Sequence, residues 1–151
     1  MPFWEEIMNT KAEKLNKFLE ANMPNVFQIG EIPDNELHAV VYQSAMEVDK
    51  QNLPFMMVVD DSIYVMFQVR VANGVIKESN KKAVLEHINS LNETYKVFKY
   101  YIDATNSIII ESCIPSADET FTPEIVHATI NVVFSHLQEE YKELMKIVWM
   151  N

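Results

Sequence analysis

Four histidines, one cysteine and the side-by-side carboxylates Asp60-Asp61 and Glu139-Glu140 are the residues of this chain weighed for the chemistry to carry a reaction. A metal site needs such ligands to converge. His127 and His136 are nine positions apart in one amphipathic stretch, which at about 100° per residue turns them to opposite faces of a helix. His87 follows Glu86, and helix neighbours do not face one another. With His38 they form no His-Glu-x-x-His pattern, so the expectation is scattered surface or internally satisfied histidines and no metal. Asp60-Asp61 falls in a hairpin turn, where Asp is favoured for local hydrogen bonding, and Glu139-Glu140 on the solvated side of a long helix. Acid–base catalysis needs two carboxyls in unlike environments across a cleft, which sequence neighbours rarely supply. Cys113 shares a strand face with Ile109 and Glu111. A nucleophilic thiolate needs an electropositive setting, and Glu111 works the other way, so a buried structural cysteine is expected. One cysteine makes neither an internal disulfide nor a thiolate zinc site. No catalytic residue and no cofactor follow from these residues, and the chain reads as non-enzymatic.

Composition narrows the classes further. Only Gly30 and Gly74 occur. Phosphate loops, dinucleotide turns and nucleophile elbows all need closely spaced glycines, because the backbone must visit positive φ. The net charge is −10, from 22 acidic and 12 basic residues, and Arg70 is the only arginine. Nucleic-acid backbones and anionic lipid surfaces are gripped by clustered Lys and Arg, so neither is an expected partner. No apolar run approaches the roughly 18 residues that a membrane span needs. The acidic start Met1-Pro2-Phe3-Trp4-Glu5-Glu6 lacks the basic and apolar regions of a signal peptide, which points to the cytoplasm.

One segment mixes side chains suited to contact rather than reaction. In the alternating stretch Ile63 to Val71, Tyr64, Met66, Gln68 and Arg70 face one way. Aromatic, methionine and guanidinium groups are enriched in the cores of protein contacts. The plain alternative is a half-covered sheet face whose Arg70 pairs with a carboxylate. Nine methionines, adaptable in packing, point weakly the same way.

Those positions depend on the elements that carry them. Trp4 to Asn22 is amphipathic, with Trp4, Ile7, Met8, Leu15, Phe18 and Leu19 on one face, and Pro24 where a helix would end. Val26 to Ile29 reads as a short strand. Leu37 to Met46 alternates with both faces fairly apolar, predicting a central strand covered on both sides. A polar loop at Asp49–Asn52 follows, then strands Phe55–Val59 and Ile63–Val71 joined across Asp60-Asp61-Ser62. Asn80 to Tyr95 is a helix burying Val84, Ile88, Leu91 and Tyr95. Val97–Ile102 and Ile108–Ile114 are strands. Thr122-Pro123-Glu124 reads as a helix start, with Thr as cap and Pro at the first position. The last helix runs to Trp149, about 40 Å. Val126, Ile130, Val133, Leu137, Tyr141, Leu144 and Val148 form its stripe, which Ile125, Val132 and Phe134 widen, so its first half is expected to be buried on more than one side. With no linker or repeat, residues 1–151 read as one α+β domain, α-β-β-β-(β)-α-β-β-α, with a mainly antiparallel sheet packed by an N-terminal and a long C-terminal helix.

Three stretches resemble a known family. Ala83-Val84-Leu85-Glu86-His87-Ile88-Asn89-Ser90-Leu91-Asn92 with Tyr95 and Phe98-Lys99-Tyr100-Tyr101-Ile102-Asp103 is the first. Ser107-Ile108-Ile109-Ile110-Glu111-Ser112-Cys113-Ile114-Pro115 and the Thr122-Pro123-Glu124 helix are the others. Together they are similar to the YbjN-like family of bacterial sensory transduction regulators, whose fold resembles the type III secretion chaperones. The resemblance covers Trp4 to Trp149 in element order and Ala83 to Glu124 in residue pattern. It implies a bacterial, cytoplasmic, non-enzymatic protein-binding module without active-site residues or cofactor, chaperone-like or regulatory, with a homodimer as one expected arrangement. Chaperones of the related fold hold an extended segment of a client. The alternative is a small-molecule sensor or an unrecognised enzyme with a pocket that sequence does not reveal.

Overall fold

A computed structural model describes residues 9–150. Trp4, Ile7 and Met8, expected on the first helix, lie outside the described residues. The elements are α1 (Thr10–Asn22), β1 (Gln28–Glu31), β2 (Val40–Val48), β3 (Gln51–Val59), β4 (Tyr64–Ala72), α2 (Lys81–Thr94), β5 (Lys99–Ile102), β6 (Ile108–Pro115) and α3 (Pro123–Trp149). The strands form one sheet in the order β1-β2-β3-β4-β6-β5, with every neighbouring pair antiparallel. The first four strands form a meander. The chain then leaves β4 through α2, lands on the far edge as β5, and returns as β6 to fill the gap.

The expected elements appear in the expected order, with α3 starting at Pro123 and ending at Trp149 as read. The two-sided cover over β2 does not. Val40, Tyr42, Met46 and Val48 are buried, whereas Gln43, Ala45 and Glu47 on the other side are exposed. The same alternation runs through β3 and β4, so one sheet face carries the core and the other is open. An antiparallel sheet tolerates a wet face, and apolar residues on that face do not by themselves imply a second layer. The polar loop at Asp49–Asn52 is also revised. Gln51 and Asn52 belong to β3, and the turn is the pair Asp49-Lys50, both at positive φ (50° and 65°). Such two-residue turns match the twist of the flanking strands but usually announce themselves with Asn-Gly or Asp-Gly, a signal missing here.

Local chemistry sets the helix ends. Asn9 caps α1, its Oδ1 accepting from the Ala12 N–H at 2.7 Å. Its Nδ2 donates to the His38 and Val59 carbonyls, so the cap also fastens the helix to the sheet. Thr122, expected to cap α3 with its side chain, makes no such bond, and its hydroxyl donates to the Thr120 carbonyl. Pro123, which has no N–H to satisfy, starts that helix. The core lies between the sheet and the helices, with Leu15, Tyr42, Met57, Phe67, Val84, Leu137 and Leu144 among its members. Ile125 and Val132 are exposed at 55% and 45%, so the first half of α3 is not covered all round, while Phe134 is partly buried against the core.

Candidate functional site: the uncovered face of the sheet

Period-2 alternation points every second side chain of β2, β3, β4, β6 and β5 away from the helices. The structure places all four singled-out residues, Tyr64, Met66, Gln68 and Arg70, on this face. Tyr64 and Met66 expose 44% and 37% of their surface, while Gln68 and Arg70 are half-buried. Strand pairing adds neighbours that sequence could not supply. Met56 sits beside Gln68, Val58 beside Met66, Cys113 on the other side of Met66, and Glu111 on the other side of Gln68. Tyr101 joins from β5, opposite Ile109. The parity of β6 assigns Glu111 and Cys113 to one face, but nothing in the sequence says that β6 inserts between β4 and β5.

Several polar groups on this face are bonded to one another, in two separate sets. Gln68 Nε2 donates to Glu111 Oε2 at 3.0 Å, and the Tyr101 hydroxyl donates to the same oxygen at 2.8 Å. Burial first, and then the bond to Glu111, push the Tyr101 phenol up to about 12. Arg70 lies 3.6 Å from Asp103, so the plain reading of a paired arginine holds as geometry. Asp103 is itself held below the usual carboxylate range, chiefly by the Thr105 hydroxyl. Cys113, expected to be buried, is exposed. Its thiol is nevertheless pushed up, by desolvation and then by Glu111, and so is a poor nucleophile at neutral pH.

The other candidate groups do not gather. His38 Nδ1 lies 2.6 Å from Asp61 Oδ2 at the surface, and Asp60 accepts from the Ser62 N–H within its own turn. His136, expected to be either exposed or satisfied, is buried among Tyr95, Phe98 and Tyr100. The Tyr100 hydroxyl lies 2.7 Å from its Nε2, but its Nδ1 is buried without a partner, as is Nε2 of His87. Burial, with a smaller contribution from His87, pulls the His136 pKa down to about 4. Among the described residues no three His, Cys, Asp or Glu side chains are placed to hold a metal ion. No helix among them is long and apolar enough to cross a membrane. Two concavities, of about 580 and 840 Å³, are open grooves.

The sequence model of the YbjN family, described as "Putative bacterial sensory transduction regulator", matches residues 34–145. The chain belongs to the YbjN family. The matched span of this YbjN-family protein runs from the turn before β2 into the last turns of α3 and takes in the open sheet face, but leaves out α1 and β1. No curated protein matches the chain. Its fold is similar to that of a chain in the crystal structure of the ExsC-ExsE complex, with a TM-score of 0.53 and 14% identity over 95% of this chain and 97% of that one. At that identity the likeness concerns architecture, and the YbjN-family chain has a type III secretion chaperone-like α+β fold.

Proposed function

We propose that this YbjN-family chain is a non-enzymatic regulatory or chaperone-like module of the bacterial cytoplasm, and that it works by holding another protein against its open sheet face. One observation carries the reading. Among the described residues, helices cover a single side of the six-stranded sheet. The other side sets Met56, Val58, Met66 and Cys113 on adjacent strands beside Tyr64, with Glu111 hydrogen-bonded to Gln68 and Tyr101 and Arg70 facing Asp103. Flexible and aromatic groups with few unpaired charges lose little on desolvation and suit a contact core. The family description is regulatory, and the similar fold comes from a structure of a two-protein complex, which supports a protein as the ligand. The same face could serve self-association, so sedimentation equilibrium accompanies the binding test.

The test combines Tyr64→Ser, Met66→Ser and Arg70→Ala in one variant and compares it with wild type in quantitative affinity capture from the native host. Loss of the wild-type partners with an unchanged circular dichroism spectrum is expected. Equal recovery of those partners by the folded variant would remove this face from consideration.

A further inference from the structure

We infer that the free edge of β1 is a docking site for an extended, basic segment of a partner protein that carries apolar side chains at alternate positions. This rests on the chain being a protein binder, but not on the open sheet face.

An open sheet has two edges, and among the described residues only the β5 edge has side chains from another element bonded to its outward backbone groups. At the β5 edge, the Asn92 side chain of α2 accepts from the Tyr100 N–H at 2.8 Å and donates to the Tyr100 carbonyl at 3.1 Å, so it occupies the position of a neighbouring strand. Lys99 Nζ closes the same corner by donating to the Asn92 and Tyr95 carbonyls. At the other edge, among the described residues, β1 pairs with β2 alone, and all four of its residues are exposed. The bond from the Ile32 N–H to the Ala39 carbonyl fixes the phase of that ladder. Gln28 and Gly30 therefore bond inward, while the N–H and C=O of Ile29 and Glu31 point outward. Natural edges are blunted by shortness, charge, proline or a bulge, and Gln28-Ile29-Gly30-Glu31 is four residues long with one charge, Glu31, but has no proline, lysine or bulge.

The surroundings specify what would pair there. Between the end of α1 and β1 lies a groove of about 580 Å³ lined by Leu19, Met23, Phe27 and Ile29. A strand added to β1 would turn every second side chain toward this groove, so apolar residues at alternate positions fit it. The charged groups lining it, Glu20 and Glu31, are both acidic. The whole chain carries −10, which disfavours a second copy of itself and favours lysine or arginine on the incoming strand. Both walls of the groove, α1 and β1, precede the span that matches the family, so the site is built from the part of the chain that the family pattern does not describe.

The probe is a ten-residue, end-blocked peptide of alternating isoleucine and lysine. It is compared with its isoleucine–glutamate counterpart and with an isomer that has isoleucine and lysine in separate blocks. Fluorescence anisotropy should rank the alternating basic peptide at least about tenfold tighter than either control. Hydrogen exchange in the wild-type protein should slow at the Ile29 and Glu31 amides and not along β5. Ile29→Pro deletes one outward N–H while sparing the ladder to β2, and should weaken binding about tenfold. Should that variant fold poorly, the surface double variant Glu20→Lys with Glu31→Lys should reverse the preference toward the acidic peptide. Equal binding of the block isomer, or protection away from β1, would overturn the proposal. Self-association lost in Ile29→Pro, with no peptide bound, would assign the edge to a second copy instead. The Tyr64–Met66–Arg70 variant should keep the peptide, which separates failure of this site from failure of the sheet face.

Discussion

Replacing Lys11 by methionine should unlock the N-terminal helix from the sheet. Lys11 is fully buried, and its Nζ donates to the carbonyls of Ser62 at 2.6 Å, Tyr64 at 3.1 Å and Ser116 at 3.0 Å. An ammonium has three N–H bonds, and here each has a carbonyl. One acceptor lies in the β3–β4 connection, one on the first residue of β4 and the third just beyond β6, so one side chain ties α1 to the start of β4 and the end of β6. Burial lowers the pKa of the amine, and Asp60, Asp118 and Asp61 oppose that shift. Methionine has similar length and leaves little cavity, so the substitution isolates the polar term. A buried carbonyl without a donor costs about 1–3 kcal/mol. The bond to Ser116 is buried and falls in that range, whereas those to Ser62 and Tyr64 are partly buried and water can replace part of the loss. The relieved desolvation of a charge offsets some of the total. The balance is a loss of about 2–4 kcal/mol, or roughly 5–15 °C in Tm for a domain of this size. Urea denaturation followed by tryptophan fluorescence, with an unchanged m-value, measures it. A loss below about 1 kcal/mol, or a gain, would show that desolvating the ammonium cancels its three bonds and would refute the clamp.

Two further outcomes follow from the titrating groups. The folded-state pKa of His136, about 4, lies below the ordinary value of 6.5, so the unfolded chain binds the extra proton between those pH values. Its contribution is present above pH 6.5 and lost as the pH falls toward 4, about 2 kcal/mol after allowing for solvent access. NMR titration of its ring proton should show a midpoint near pH 4, and one above 6 would contradict the burial argument. Cys113 is exposed but has a raised pKa, so at pH 8 it should react with Ellman's reagent more slowly than free cysteine, and Glu111→Gln should speed it. Unchanged kinetics in that variant would remove Glu111 from the explanation.

The sequence alone determined the elements and their order, because each announces itself locally. Val84, Ile88 and Leu91 recur at helical spacing, Val65, Phe67, Val69 and Val71 alternate, and Thr122-Pro123-Glu124 marks a start. It also placed Tyr64, Met66, Gln68 and Arg70 on a common face, since strand parity needs no partner. Tertiary structure decided which face that was. A strand's alternation is the same whether zero, one or two layers cover it, and the apolar Val41 and Ala45 made β2 look covered twice when, among the described residues, helices pack on one side only. It decided as well that β6 enters between β4 and β5 and brings Glu111 and Cys113 beside Gln68 and Met66, a pairing set by long-range packing. The buried positions of Lys11 and His136 escaped for the same reason. Their cost is met by acceptors and rings far away in the chain, and charge or polarity read locally gives no sign of them.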